Sequence, residues 1–301
     1  MEVRYFVMAE IITMFVVINR ILILISYQMY QLFFLLIISL ASAQHYRFTY
    51  SYQMKPDAGK KDSVITDYMN LDTDGRKSYF YNAAKYERDS AYAVTKSYKD
   101  LLQAKSYDQN LSYIVEKDYS KKTVNFYDTF KTVHFVIPEN DLPKWKIEKE
   151  FMKINGIECQ KATSQYKGRD WEAWFSKDYP VNDGPYKFSG LPGIVVSIKD
   201  SENDHIFNLI QIKKINNTFS LLPKSVKRVT FPEYKKIMNG YTFTSEDIES
   251  MSVDKQENRI DLQLKDGYIA KIGTDDMKKM QKMDEEMTKR LRRTNNYIER
   301  E

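Results

Sequence analysis

Apolar and polar side chains alternate along much of the chain after residue 44. The first such run places four aromatic residues two positions apart, and similar alternation recurs in three later segments. The alternating apolar residues are Tyr46, Phe48, Tyr50 and Tyr52, then Val133, Phe135 and Ile137, then Ile194, Val196 and Ile198, and last Ile260, Leu262 and Leu264. Alternation with a period of two is typical of strands with one buried face. The pattern therefore predicts a fold rich in β-strands.

Two Asp-Gly pairs, Asp74-Gly75 and Asp266-Gly267, lie beside or between these runs and favour tight turns. Short strands joined by tight turns predict a mainly antiparallel sheet. We therefore expect a mainly β protein of the α+β class, with a curved antiparallel sheet or half-barrel and packed helices. The half-barrel part of this expectation rests on fold-level analogy with periplasmic lipoprotein carriers.

Helical periodicity appears in two segments, from Tyr86 to Ala104 and near the C-terminus. In the second, Thr274 can cap a helix, and arginines follow at its end. Its apolar stripe consists of Met277, Met280, Met283, Met287 and Leu291. Such a stripe suits either a pliable lid over a lipid-like ligand or a helix packed on the sheet, where methionine fills gaps. With no long linker or internal repeat, residues 44–301 are expected to form one domain.

The N-terminal region predicts export. Two apolar blocks lie within residues 11–40, and the second runs directly into Ala41-Ser42-Ala43, a small-residue cleavage pattern. We expect residues 1–43 to be a signal region cut after Ala43, leaving a periplasmic or secreted chain without a membrane span. Initiation at Met29 would make residues 1–28 a mis-called start. The alternative is that residues 11–40 are retained as a membrane anchor.

Composition and charge exclude several classes of protein. The 301 residues are 43% apolar and 29% charged, which is typical of a globular chain. The net charge of +5 comes from basic residues scattered among acidic ones, so no nucleic-acid partner is expected. The single cysteine, Cys159, excludes an intramolecular disulfide and a cysteine-based metal cluster. It is flagged as a free thiol, either reactive or buried and inert.

Candidate chemistry is sparse. His45, His134 and His205 are far apart in sequence, and no nucleophile elbow, phosphate loop or dinucleotide fingerprint is present. We therefore expect no metal, no cofactor and no defined catalytic residues. Asp170 and Glu172 flank Trp171, close to Trp174, a pattern that could serve glycoside hydrolysis. On a strand, however, two acids two positions apart are more typical of a solvated face.

The segment from Gly184 to Val195 is rich in glycine and proline. Gly184 and Gly190 can take positive φ, whereas Pro185 and Pro192 fix φ near −65°. A rigid, extended crossing that leads into a strand at Ile194 is the expected result.

This segment resembles the signature of the GLPGLI family of exported Bacteroidetes proteins, here Gly190-Leu191-Pro192-Gly193-Ile194-Val195. Ile194 replaces the family's leucine and Val195 its isoleucine. The resemblance also covers Trp145-Lys146-Ile147, residues 156–162, Gly168-Arg169 and Ala173-Trp174-Phe175 upstream. Downstream, Asn296-Tyr297-Ile298-Glu299 is similar to the family's closing Asn-Pro-Ile-Glu, with tyrosine in place of proline. The resemblance implies an envelope protein and no assigned reaction.

Three functions stay open at this point. The first is a non-catalytic binding or carrier protein for a hydrophobic small molecule or peptide, with Trp171, Trp174, Gly190, Leu191, Pro192, Gly193, Met280, Met283 and Met287 as candidate binding residues. The second is an accessory or structural protein that docks an outer-membrane partner through the Gly-Pro segment, unless Leu191 belongs to the core. The third is a hydrolase that uses Cys159 or the pair Asp170 and Glu172.

Overall fold

The computed structural model describes residues 14, 18–31, 45–97, 107–131, 133–179, 181–219, 221–265, 269–273 and 277–300, with the side chains of 277–283 excepted. The chain divides into two compact units, Met1–Gln44 and His45–Glu301. Residues 18–31 of the first unit are helical. No helix in the described ranges is long and apolar enough to cross a membrane. The predicted cleavage site after Ala43 lies outside the described residues.

Strands dominate the second unit and form two sheets. The larger sheet contains β1 (Tyr46–Met54), β2 (Ile65–Thr73), β3 (Lys77–Asn82), β4 (Ile114–Asp118), β5 (Thr123–Phe130), β6 (Val133–Glu139), β7 (Lys146–Ile154), β8 (Ile157–Tyr166), β9 (Arg169–Ser176), β10 (Ile194–Asp200), β11 (His205–Lys214) and β12 (Lys227–Arg228). The smaller sheet contains β13 (Ile248–Asp254), β14 (Arg259–Leu264) and β15 (Ile269–Gly273).

The larger sheet has the order β12-β6-β5-β4-β3-β2-β1-β11-β10-β9-β8-β7. Its pairs are antiparallel except for the short contact between β12 and β6. The predicted mainly β class with an antiparallel sheet is confirmed. The sheet is open and uncurled rather than a closed barrel. The expected antiparallel sheet is therefore present, but its expected curvature into a half-barrel is not.

The predicted turn at Asp74-Gly75 is confirmed between β2 and β3. Gly75 has φ of +80°, and the Asp74 carboxylate accepts hydrogen bonds from the backbone N–H groups of Arg76 and Lys77. These bonds replace the strand ladder where the chain reverses. Asp266-Gly267 lies outside the described residues.

Within the described part of the second unit, three helices accompany the sheets: α1 (Ala83–Thr95), α2 (Phe231–Gly240) and α3 (Met277–Arg292). Two 3₁₀ turns occupy Gln109–Leu111 and Ser245–Asp247. The first predicted helix is confirmed in part, because α1 begins at Ala83, where Asn82 caps it, and ends at Thr95. Helix α2 was not predicted, although Thr230, Pro232 and Glu233 form a capping box with proline in the first turn.

Helix α3 confirms the second predicted helix from Met277 onwards. Met287 and Leu291 of its stripe are buried in the core, as expected for a helix packed on the rest of the domain. Thr274 and the side chains of Met277, Met280 and Met283 lie outside the described residues. The structure therefore places only the C-terminal half of the stripe.

The core lies on one face of the larger sheet. In β1, Phe48, Tyr50 and Tyr52 are at most 1% exposed, whereas their neighbours are partly solvated. The same face receives Phe80 from β3 and Phe207 from β11. Aromatic burial on this scale contributes the largest favourable term to folding, because each ring removes a large apolar area from water.

Candidate functional site

The Gly-Pro segment lies in the core. Leu191 is 1% exposed and Phe188 is fully buried, whereas Gly190 and Pro192 beside them are exposed. Gly190 has φ of +92°, as its predicted role requires. Gly184 does not have positive φ; a Cβ there would lie 2.7 Å from the Phe188 carbonyl oxygen. The segment thus packs against the sheet and presents little apolar surface for docking.

Basic side chains are buried around this segment and are paired with acids. Lys187 has no exposed side-chain area and contacts Glu139 and Glu299. Lys117 contacts Asp183 at 2.5 Å, with both side chains 1% exposed. The hydrophobic pattern along the chain gives no sign of these residues, because a buried cation and a solvated one look the same in sequence. Buried charges are costly unless they are paired, so each pair constrains the packing around it.

The C-terminal residues 294–300, here called the C-terminal clasp, bind to two buried cations, Lys187 and Arg169. Arg169 donates to the Asn296 side-chain oxygen at 2.6 Å, to the Ile298 carbonyl at 3.1 Å and to Asp200 at 2.6 Å. Glu299 accepts hydrogen bonds from Lys187 and from the Tyr186 hydroxyl. The two polar residues of the Asn-Tyr-Ile-Glu motif are therefore the anchors of the clasp.

A cavity of about 50 Å³ lies between the sheet and the residues that follow α3. Aromatic rings form much of its wall, among them Tyr52, Tyr113, Phe126, Tyr186, Tyr234 and Tyr297. Asp128 joins this wall as its acidic residue and accepts hydrogen bonds from the Tyr234 hydroxyl at 2.5 Å and from Arg293 at 2.6 Å. An aromatic lining with a few converging polar groups is the usual character of a binding pocket.

Arg293 adopts an unusual backbone conformation at this wall. Its φ is +65°, in the left-handed region that costs a non-glycine residue about 1–2 kcal/mol. The ion pair with Asp128, together with a hydrogen bond to the Thr129 carbonyl, holds it there. Strained residues that surrounding contacts keep in place are common at binding sites.

Three buried polar atoms of the cavity lining make no hydrogen bond of normal length and angle in the described part of the chain: the Tyr113 hydroxyl, His205 Nε2 and the Asn110 side-chain oxygen. The Tyr113 hydroxyl interacts with Tyr52, and the His205 ring with the backbone of Tyr297. His205 Nδ1 shares a hydrogen bond of 2.9 Å with the Tyr52 hydroxyl. Burial, and then the positive charge of Arg169, lowers the pKa of His205 to about 3, so the ring is neutral. A neutral ring paired through Nδ1 leaves Nε2 free for a further hydrogen bond.

An open groove of about 980 Å³ adjoins the cavity. The two share Asn110, Arg292, Arg293 and Thr294 in their linings. The charged residues of the groove are Lys60, Lys289, Arg290, Arg292 and Arg293 against Asp57, Glu285 and Glu286. Met287, one of the predicted binding residues, also lies in the groove wall. The groove is therefore mainly basic, in contrast to the aromatic cavity.

The remaining predicted binding residues lie elsewhere. Trp171 is 2% exposed, and its Nε1 donates to the Tyr166 carbonyl, so it is a core residue of β9. Trp174 lies on the opposite face of β9 and donates to Glu172 at 3.2 Å. Gly190, Leu191, Pro192 and Gly193 do not line the cavity or the groove. Of the predicted binding residues whose side chains the structure describes, only Met287 lies at the site.

Asp170 and Glu172 lie on the outer face of β9, as expected for two acids on a solvated face. Asp170 is exposed, and Glu172 forms a 3.2 Å ion pair with Lys161 on β8. In the described residues, no group of three or more His, Cys, Asp or Glu could hold a metal ion. His45 contacts the Asn216 carbonyl oxygen and His134 contacts the Thr129 hydroxyl, and neither histidine lines the cavity.

Cys159 is 2% exposed on β8, and burial raises its pKa to about 11. The thiol is therefore protonated near neutral pH, and the thiolate is the form that reacts. We expect iodoacetamide at about pH 8 to leave Cys159 unmodified in the folded protein and to alkylate it fully in urea. Mass spectrometry of the alkylated chain checks this, and equal labelling rates in both conditions would contradict it.

The buried His205 should make the stability of the fold sensitive to acid. Its pKa is about 3 in the fold and 6.5 ordinarily, so the unfolded chain binds a proton that the folded chain excludes. This contribution to stability is complete above about pH 6.5 and is lost as the pH falls toward 3. We expect the free energy of unfolding to fall between about pH 6.5 and 4.5, and to fall less in His205→Gln. Urea titrations across this range check it, with His45→Gln as a control outside the core; an unchanged slope in His205→Gln would contradict it.

Comparison with known proteins adds a family match over part of the chain. Residues 165–197 match a family described as a protein of unknown function (Porph_ging), which is consistent with an uncharacterised Bacteroidetes family. No curated protein matches the chain. Two crystal forms of PNGF-II, in space groups P21 and C2, are similar with TM-scores of 0.48 and 0.47 and 16% identity. In both cases the match covers 73% of this chain and 40% of that one. The family match includes Arg169 and Lys187, the two buried cations that hold the C-terminal clasp.

Proposed function

We propose that the chain is an exported, periplasmic protein of the GLPGLI type that binds a ligand without converting it, at the cavity under the C-terminal clasp. The observation that carries this proposal is the set of buried polar atoms on Tyr113, His205 and Asn110 that lack a well-formed hydrogen bond and line one cavity. Nearly all buried polar groups in proteins have partners, so a cluster of exceptions calls for a bound group.

The sizes and charges of the cavity and the groove indicate the kind of ligand. The cavity is well below the 300–1,000 Å³ typical of pockets that enclose a whole ligand. Only a small end that carries a hydroxyl or amide group enters it and pairs with the polar atoms, while the larger part lies in the basic groove. We propose an amphiphilic small molecule or short peptide with an anionic group near Arg292 or Lys289.

The state of the groups at the cavity supports binding rather than catalysis. Burial raises the pKa of Tyr113 and Tyr234 well above the ordinary value, so both phenols stay protonated. Asp128 is occupied by Arg293 and Tyr234. Cys159, the only thiol of the chain, does not line the cavity. Docking of an outer-membrane partner remains the alternative proposal, and the exposed edge strand β7 suits it better than the buried Leu191 does.

Native mass spectrometry of the exported protein tests the proposal. We expect a retained small-molecule mass on the wild type, released on denaturation. Met54→Phe narrows the cavity that Met54 lines and should remove that mass. Met69→Phe makes the same change in the core away from the cavity and should retain it. No retained mass on the wild type, or equal retention in both variants, would leave docking as the better proposal.

A further inference from the structure

The buried pair of Lys117 and Asp183 is incompletely satisfied. The Lys117 ammonium contacts Asp183 Oδ1 at 2.5 Å and donates to the Gly184 carbonyl at 2.6 Å. Asp183 Oδ1 also accepts from the Gly184 N–H at 2.7 Å, but Oδ2 makes no hydrogen bond of normal length and angle within the described ranges. A buried ion pair is favourable only when additional hydrogen bonds satisfy the remaining protons and lone pairs. This pair falls short of that condition.

The other buried cations differ in this respect. Lys187 lies between two carboxylates, and Arg169 donates to the carboxylate of Asp200, a side-chain amide and two backbone carbonyls. Lys117 faces a single carboxylate in the described structure, and burial lowers its pKa. Burial therefore favours the neutral amine, which is the nucleophilic form of lysine.

We propose that Lys117 and Asp183 form an intramolecular isopeptide bond, in which Nζ is joined to Cγ of the aspartate. An amide has one N–H donor and one carbonyl acceptor. Gly184 already supplies the partner of each, because its carbonyl accepts from Nζ and its N–H donates to Oδ1. The amide would thus remove both buried charges and the Oδ2 atom at once.

The reaction balances without a co-reactant. One proton passes from the ammonium to the carboxylate, which gives a neutral amine and a carboxylic acid. Nζ then attacks Cγ, the Gly184 N–H stabilises the developing charge on Oδ1, and the bond from Cγ to Oδ2 breaks. Oδ2 leaves as water with a proton from Nζ. Nothing is oxidised or reduced.

Tyr119 is a buried neighbour of the pair. Its hydroxyl interacts with Asp183, and burial, then the charge of Asp183, raises its pKa well above the ordinary value. The phenol therefore stays protonated at neutral pH and adds no further charge beside the pair. Ser78, directly opposite Lys117 in the pairing of β3 with β4, adds a second buried hydroxyl that makes no hydrogen bond of normal length and angle among the described residues.

The bond would give this chain a covalent cross-link that its single cysteine cannot supply. It would join β4 to the segment before β10 that the family match covers. Proteins that act outside the cell are commonly stabilised by such cross-links, usually disulfides. This inference is independent of the ligand proposal, because the pair does not line the cavity.

Peptide mass spectrometry of the full exported protein tests the inference. We expect a branched peptide that contains Lys117 and Asp183 and is lighter than the two separate peptides by one water. Lys117→Arg keeps the charge but cannot form this bond, and its peptides should have their full masses. Recovery of the wild-type peptides separately and at full mass overturns the inference. The same loss of water in Lys117→Arg also overturns it, since the loss would then arise elsewhere.

Discussion

Replacing Lys187 with methionine is expected to lower the free energy of unfolding by about 3–5 kcal/mol. Methionine keeps most of the volume of the side chain but leaves the buried Glu299 without a cation, close to Glu139, which keeps its ion pair with Lys167. Glu299 is 1% exposed and Lys187 fully buried, so water cannot replace the lost charge. One of the carboxylates must then take up a proton, or the clasp must detach from the sheet.

Urea denaturation of the mature chain measures this effect through the change in midpoint. The double variant Lys187→Met/Glu299→Gln should recover part of the loss, because it removes the buried carboxylate charge that is left without a cation. Lys153→Met, at an exposed ion pair with Glu158, is the matched control and should leave the midpoint unchanged. Equal urea midpoints for wild type and Lys187→Met would show that the ion pair of Lys187 with Glu299 does not hold the clasp.

The strands could be predicted because a strand with one buried face shows apolar and polar residues in alternation along the sequence. Phe48, Tyr50 and Tyr52 alternate with polar residues, and the structure buries all three. The same logic placed Asp170 and Glu172 on a solvated face of a strand, and the structure buries Trp171 between them on the other face. Local residue preferences also predicted the turn at Gly75 and, from its arginines, the end of α3.

The site could not be predicted, because its contacts join residues that are distant in sequence. Arg169 meets Asn296 across 127 positions, and Asp128 meets Arg293 across 165. Neither hydrophobic periodicity nor turn chemistry carries information on such pairs. The Asn-Tyr-Ile-Glu motif was found only through resemblance, and its role depended on seeing which buried cations it reaches.

The clasp connects the stability of the fold to the candidate site. Asn296 and Ile298 line the cavity, and Arg169 and Lys187 fix the same segment from the core side. A change that loosens the clasp therefore alters the wall of the cavity as well as the free energy of unfolding. Stability and ligand retention should fall together in Lys187→Met, whereas Met54→Phe should affect retention with a smaller effect on stability.

Gly193 gives the second large effect. We expect Gly193→Ala to destabilise the fold by about 3 kcal/mol, because a Cβ at this position would lie 2.1 Å from the backbone carbonyl oxygen of Ser176. That oxygen belongs to β9, and Ser176 pairs with Ile194 on β10, so relief of the clash must shift the strand pairing itself. A flexible side chain could move aside, but this backbone cannot do so cheaply.

Gly240→Ala is the matched control for this prediction. Gly240 ends α2 with no atom within 4 Å of the added Cβ and without positive φ. Alanine there should be neutral or stabilise by up to about 1 kcal/mol, since it reduces the entropy of the unfolded chain. Urea midpoints of both variants separate the close approach at Gly193 from a general effect of removing glycine. If the two variants unfold at the same midpoint, the close packing of Gly193 against β9 does not explain why glycine occupies this position.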